Sequence, residues 1–239
     1  SGSRSTAAVT ASTSTPLPAN APLSERIRAF NEWFSGLSPI PSHITAMEIP
    51  EFRMGTITTR PIKKGEVYLG ISTTHGGIID TDVAAHGKNE AVSGLIAQLI
   101  SAYPKRDDFH ELLFFLLHET FVMREKSFYW PYLSLLPTYE DMENNAFVPL
   151  LWAEEDIKTR LGPSDVSGLI EDYHAKTKSR YSAILKMKVI SDFFPNSTHR
   201  ALYSANAEDN GKVDETVYDV FTFRNYQWAT VILDSRSIW

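Results

Sequence analysis

The residue types that could do chemistry are few and scattered. His110–Glu111 and His118–Glu119 repeat one pair along the apolar stretch "HELLFFLLHE". Imidazole and carboxylate are metal ligands, but a site there needs a third ligand from elsewhere, and the plainer expectation puts both pairs at the solvated edges of a helix. No metal site is expected. Asp141, Glu143, Glu154, Glu155 and Asp156 form an acidic group. Two carboxylates suffice for general acid–base work, yet helix-start and loop positions account for all five. "NST" at Asn196 is a glycosylation sequence only in a secreted protein. The Walker loop, G-x-G-x-x-G, G-x-S-x-G and H-E-x-x-H are all absent. Arg236 is the anomaly. It ends "FTFRNYQWATVILDSR", a segment that reads as a helix capped by Thr222 and apolar on nearly every face through Phe223, Tyr226, Trp228, Val231, Ile232 and Leu233. A guanidinium buried there requires an anion or a set of acceptors, supplied by a ligand or by a core carboxylate.

The elements that must position these residues follow from periodicity. "LSERIRAFNEWFSGL" predicts a first helix, with Ser24 as cap, Ile27, Phe30, Trp33 and Phe34 as its stripe, and Gly36 as its stop. "ITAMEIPEFRMGTITTRPIKKGEVYLGIS" predicts β structure turned at "RPIKKGE", with Val67, Leu69 and Ile71 alternating as a half-buried strand. From Asn89 the pattern is helical. Val92, Leu95, Ile96 and Leu99 share a face, and "DDFHELLFFLLHETFVMRE" is longer and more apolar. "SFYWPYLSLLP" is short and closed by Pro137, and "WAEEDIKTRL" runs from acids to bases as the helix dipole favours. A long helix is expected from about Ser164 to Ile190, then the polar loop "NAEDNGKVDE" and the terminal helix. Four regions result: 1–22, 23–88, 89–220 and 221–239.

Composition bounds the partners. Lys+Arg of 23 against Asp+Glu of 29 gives a net charge of -6, which argues against a nucleic-acid surface. No cysteine is present, so disulfides and thiolate chemistry are excluded. The longest apolar run, "LLFFLL" at Leu112–Leu117, falls far short of the roughly 20 residues that cross a bilayer, so no transmembrane segment is expected. Residues 1–22 are mostly Ser, Thr, Ala and Pro, with no acid before Glu25. Such a stretch reads as a flexible tail or as the remnant of a plastid transit peptide, which points to the plastid stroma, with the cytoplasm as alternative.

Four segments in order resemble one family, the SET-domain protein methyltransferases of the Rubisco large-subunit lysine and actin histidine methyltransferase type. They are "MGTITTRPIKKGEVYLGIS", "SFYWPYLSLLP", "LLWAEEDI" and "YQWATVILDSR". The resemblance implies an α+β fold, with β-hairpin elements of a SET-like fold and a large, mostly α-helical insertion over 89–220. It implies methyl transfer from S-adenosylmethionine to a protein lysine or histidine. Arg53, Met54, Gly55 and Arg236 take the cofactor-binding positions, and Arg236 points into the cleft where cofactor and target meet. The chain departs from the pattern at Arg53, where such enzymes carry a glycine. The Asn-His pair and tyrosine that follow the arginine helix in such enzymes lie outside residues 1–239. No catalytic residue is therefore expected within the chain, and independent activity is not expected. The alternative expectation is a non-catalytic SET-derived scaffold in a larger protein assembly, with Trp130, Tyr132, Tyr139 and Trp152 as candidate contact aromatics.

Overall fold

Side-chain caps, acidic first turns and apolar stripes determine where the helices start and which way they face. The computed structural model describes residues 17–18, 20–72, 76–86, 90–102, 108–143, 148–185 and 220–236. In chain order its elements are α1 (Leu23–Leu37), β1 (Ile44–Ile49), β2 (Arg53–Thr58), α2 (Thr81–His86), α3 (Glu90–Ala102), α4 (Asp108–Leu117), a π turn (His118–Met123) and a 3-10 turn (Arg124–Lys126). Then follow α5 (Trp130–Leu133), α6 (Tyr139–Glu143), a 3-10 turn (Pro149–Leu151), α7 (Glu154–Leu161), α8 (Asp165–Leu185) and α9 (Phe223–Arg236). The fold is mixed α+β and mostly helical, with one two-stranded sheet among the described residues.

Thr222 caps α9 as the sequence predicts: its Oγ1 accepts the Asn225 N–H at 3.0 Å. Asp80 caps α2 through the Val83 N–H at 2.8 Å, and Thr138 and Asp141 each accept the other's backbone N–H at the start of α6. α1 opens on Pro22, not on a Ser24 cap, and runs one residue past Gly36. The proline presets φ at the boundary, and its carbonyl accepts the Glu25 and Arg26 N–H groups at 3.0 and 3.1 Å in place of a side-chain cap. α8 covers most of the long helix expected to Ile190. Residues 186–190, the loop "NAEDNGKVDE", Asn196 and residues 1–16 lie outside the described residues.

The core forms where α4 meets α9, α2 and α3. Leu113, Phe114 and Leu117 are fully buried, as are Val92, Leu95 and Ile96 of the predicted α3 stripe. The side chain of Leu99 lies outside the description. From α9 come Tyr226, Trp228, Ala229, Val231, Ile232 and Leu233, all buried. Phe221 stacks between Phe114 (5.7 Å between ring centroids) and Tyr181 (5.3 Å), and the Tyr181 hydroxyl donates to Phe221 O at 2.9 Å. Among the described residues no helix is long and apolar enough to cross a membrane.

The sheet pairs Ile44 with Thr58 through Ile49 with Arg53, so Met47 faces Gly55. Asn31 of α1 clasps β1 from outside: its amide accepts the Ala46 N–H at 3.0 Å and donates to Ala46 O at 2.9 Å. The "RPIKKGE" turn forms with Gly65 at φ 83, and the Arg60 guanidinium with the Lys63 N–H holds the Glu66 carboxyl at about 2. The strand expected at Val67, Leu69 and Ile71 is absent. That segment makes no ladder, and Val67, Tyr68 and Ile71 are exposed. Alternation marks a chain suited to a sheet face, but a strand exists only where a neighbour accepts its backbone. Here the described links are the His43 N–H to Tyr68 O at 2.9 Å and the Ser38 hydroxyl to Gly70 O at 2.8 Å.

Tyr173 of α8 donates to the Asp234 carboxylate of α9 at 2.8 Å, and burial together with that carboxylate raises its phenol pKa well above the ordinary value. A raised folded pKa means that stability is complete below the unfolded value of about 10 and falls as pH rises past it. Tyr173→Phe is expected to lose about 1 kcal/mol near neutral pH. The gap to the parent should close above about pH 10, measured by urea unfolding across that range.

Candidate functional site

α5 is a single turn whose own carbonyls are met by the Ser134, Leu135 and Leu136 N–H groups. Residues 134–137 that follow it lie in an apolar setting, so their carbonyls need donors from outside. Three distant elements supply them. Arg26 of α1 donates from Nη1 to Ser134 O at 2.5 Å. Arg53 of β2 donates from Nη1 to Leu135 O at 2.7 Å and from Nη2 to Leu136 O at 3.5 Å. Trp228 of α9 donates its Nε1–H to Pro137 O at 2.8 Å. Positive charge at the carbonyl end of a helix is also favoured by its dipole. Upstream, the Trp130 Nε1–H reaches Leu17 O at 2.8 Å.

Of the four residues assigned by resemblance, Arg53 is half-buried and held by these carbonyls. Burial lowers its pKa, Asp141 opposes that, and the charges of Arg26 and Arg236 add to it. Its φ is 63, in the left-handed region. Met54 and Gly55 lie opposite Glu48 and Met47 in the hairpin. A Cβ on Gly55 would collide with Ile49 Cδ1, so the bare face of this glycine is covered by a side chain. Arg236 is exposed, which corrects the expectation of a buried guanidinium, and its Nη1 donates to Ser235 Oγ at 2.7 Å. The apolar run of α9 ends at Leu233, and Asp234, Ser235 and Arg236 project beyond the core. The charge of Arg236 still reaches Arg53 and Tyr132, whose phenol is raised by burial and lowered by that arginine. A cofactor carboxylate fits the exposed Arg236; the covered face of Gly55 and the engaged guanidinium of Arg53 do not fit close approach of a ligand.

The His-Glu pairs are not at solvated edges. Glu111, His118 and Glu119 are buried, and His110 Nε2 lies 3.3 Å from the Tyr226 hydroxyl. Ser127 Oγ donates to Glu119 Oε2 at 2.5 Å, and His118 Nδ1 lies 3.8 Å from Glu119 Oε1. A nucleophilic serine needs a general base on its hydroxyl, most often an imidazole, in a place a substrate can reach. Here the hydroxyl is directed to the carboxylate, and the group braces the π turn against α5. Among the described residues no set of three or more His, Asp or Glu is placed to hold a metal ion. The other acids sit as helix chemistry places them: Glu154 and Asp156 open α7 and pair with Lys158 (2.6 Å) and Arg160 (3.5 Å). The candidate contact aromatics are drawn inward. Trp130 is buried, Tyr132 is half-buried, Tyr139 lies under Arg224 (4.4 Å) and Trp152 under Arg160 (4.9 Å).

A cleft of about 430 Å³ opens between the π turn, the α5–α6 segment and the start of α9. Its lining includes Arg26, Thr120, Arg124 and Arg224 but none of Arg53, Met54, Gly55 or Arg236. Sequence reasoning missed Arg26 and Thr120. Arg26 adjoins the buried Ile27 on α1, and nothing in its spacing separates it from an ordinary solvated charge. No protein-family model, curated protein or solved structure matches the chain.

Replacing Arg53 separates its two burdens. Arg53→Ala removes both carbonyl bonds and keeps a Cβ in the left-handed region, whereas Arg53→Gly removes the bonds and relieves the backbone. The alanine variant is expected to be less stable than the glycine variant by about 1 kcal/mol in urea unfolding. Equal stability of Arg53→Ala and the parent would show that the Leu135 and Leu136 carbonyls need no donor.

Proposed function

We propose that the chain carries the cofactor-side segments of a SET-type protein methyltransferase, which transfers methyl from S-adenosylmethionine to a protein lysine or histidine. The observation that supports this reading is convergence. β2, the aromatic segment and α9, which lie in or beside three of the four segments that carry the resemblance, meet where Arg53, one residue before the first segment, and Trp228 donate to the carbonyls of 135–137. Bound cofactor would supply an electrophilic methyl group. Arg236, exposed and within electrostatic reach of Arg53 and Tyr132, is the residue suited to hold its carboxylate. Methyl transfer is an in-line displacement, so the contribution of these segments is alignment. The partner is a protein, and a plastid setting is part of the same reading.

A second reading, the non-catalytic scaffold, is favoured by Arg53 and Gly55. Both are engaged within the protein, one by carbonyls and the other by Ile49. Met47, Phe52 and Ile57 of the hairpin are exposed, as a surface that docks to another protein would be.

Calorimetry separates the two. Under the methyltransferase reading S-adenosylmethionine binds saturably to the folded chain, and Arg236→Ala weakens it about tenfold or more through loss of a charge-assisted bond. A folded, monodisperse chain that does not bind would overturn that reading in favour of the scaffold.

A further inference from the structure

The outer edge of β2 is an open template. The Thr59 N–H continues the ladder to His43 O at 2.9 Å, beyond the pairs Thr45–Ile57 and Met47–Gly55, so the odd-numbered residues of β2 exchange bonds with β1. Alternation then directs the backbone groups of Met54, Thr56 and Thr58 away from β1. The Met54 N–H is given to Phe52 O at 2.7 Å. The Met54 carbonyl and both backbone groups of Thr56 and Thr58 have no protein partner among the described residues, and both threonines are exposed. Edges are commonly blunted by charge or by proline. Along β2 neither projects: Arg53 is withdrawn to the Leu135 and Leu136 carbonyls, and Pro61, Lys63 and Lys64 come after the strand has ended.

The two ends of this edge carry opposite charge. Glu51 precedes the strand, is exposed and makes no ion pair among the described residues. Past the other end, Arg60 pairs with Glu66, while Lys63 and Lys64 are exposed and make no ion pair among the described residues. A strand that is acidic before its start and basic beyond its finish is complementary to itself when turned antiparallel.

We propose that the chain pairs with a second copy of itself through β2, forming a four-stranded antiparallel sheet about a two-fold axis at Thr56. Outward residues pair only with outward residues, which restricts the register. Centring the axis on Thr56 sets Thr56 against Thr56 and joins each Thr58 N–H to the Met54 carbonyl of the other copy. A shift toward the start of the strand would require the Met54 N–H, which Phe52 already holds. Facing threonines are a favourable cross-strand pair. On one face the exposed Ile57 comes beside Gly55 of the other copy, against the Ile49 side chain that covers that glycine. Glu51 of each copy lies by the Lys63–Lys64 turn of the other, and the two basic turns stand at opposite ends. The pairing leaves Arg53 on its carbonyls and does not involve Arg236, so it is independent of both functional readings.

Sedimentation velocity and amide hydrogen exchange on the full chain test this. A short edge makes a small interface, so the expected result is a monomer–dimer equilibrium with a dissociation constant of about 10–100 μM. The Thr56 and Thr58 amides should gain protection as concentration rises. Thr56→Pro removes the outward N–H and leaves the bonds to β1 in place, since proline is tolerated at an edge whose N–H faces solvent. It should weaken the dimer about tenfold or more, with the thermal midpoint nearly unchanged. Glu51→Lys and the double variant Lys63→Glu/Lys64→Glu should each pair more weakly than the parent, and a mixture of the two should pair more tightly than either alone. A chain that stays monomeric up to about 1 mM, a folded Thr56→Pro variant that dimerises like the parent, or a charge-swapped mixture no tighter than its components would overturn the proposal.

Discussion

The carbonyls of residues 134–137, just after a one-turn helix, lie in apolar surroundings, and three distant elements are tied together by meeting them. α1, β2 and α9 each send one side chain to this short run of backbone. A buried carbonyl left unmet costs about 1–3 kcal/mol, and several together rival the net stability of a domain. The hairpin is therefore fixed by a polar requirement as much as by packing, since most of its residues are half-buried or exposed. The same requirement brings Arg26 and Arg53 close enough for their charges to act on each other. Two guanidinium groups stand together there because the carbonyls they serve are adjacent.

The helical parts of the fold were legible from the sequence where a local rule and the tertiary packing agree. Thr222 caps α9, and Val92, Leu95 and Ile96 are the buried face of α3, because a cap and an apolar stripe need nothing from far along the chain. Val67–Ile71 illustrates the opposite case: alternation is a local property, and a ladder is not. Arg236 was read as buried from the apolar residues before it, yet an apolar run gives no notice of where the core ends beneath it. Of the candidate site, the helix that carries Arg236 and the β character of Arg53–Gly55 were legible, but the hairpin expected to turn at "RPIKKGE" instead turns at 50–52 and pairs with Ile44–Ile49. The engagement of Arg53 by Leu135 and Leu136 was not, because the need arises from carbonyls distant in sequence.

The buried His-Glu pair has a geometric cause as well. α4 passes into a π turn at His118 without a break. Hydrogen bonds in a π turn span one more residue than in an α-helix, so each residue advances by a smaller angle. The angle matters little, because the chain is buried on every side from Leu113 to Glu119: Glu119 lies in the core whichever way it points and is met there by Ser127. Glu111, in the regular α4, is buried in the same way.

The clasp of Asn31 on Ala46 gives the small sheet a direction. Backbone groups of Ile44 and Ala46 point away from β2, and both are already met, by Ser42 Oγ at Ile44 and by the Asn31 amide at Ala46. At these two residues side chains imitate a neighbouring strand, one means by which sheets discourage edge-to-edge growth. Along Arg53–Thr58 no described residue plays such a part, and β1 is the only strand paired there among the described residues. The β2 border is thus the less occupied of the two.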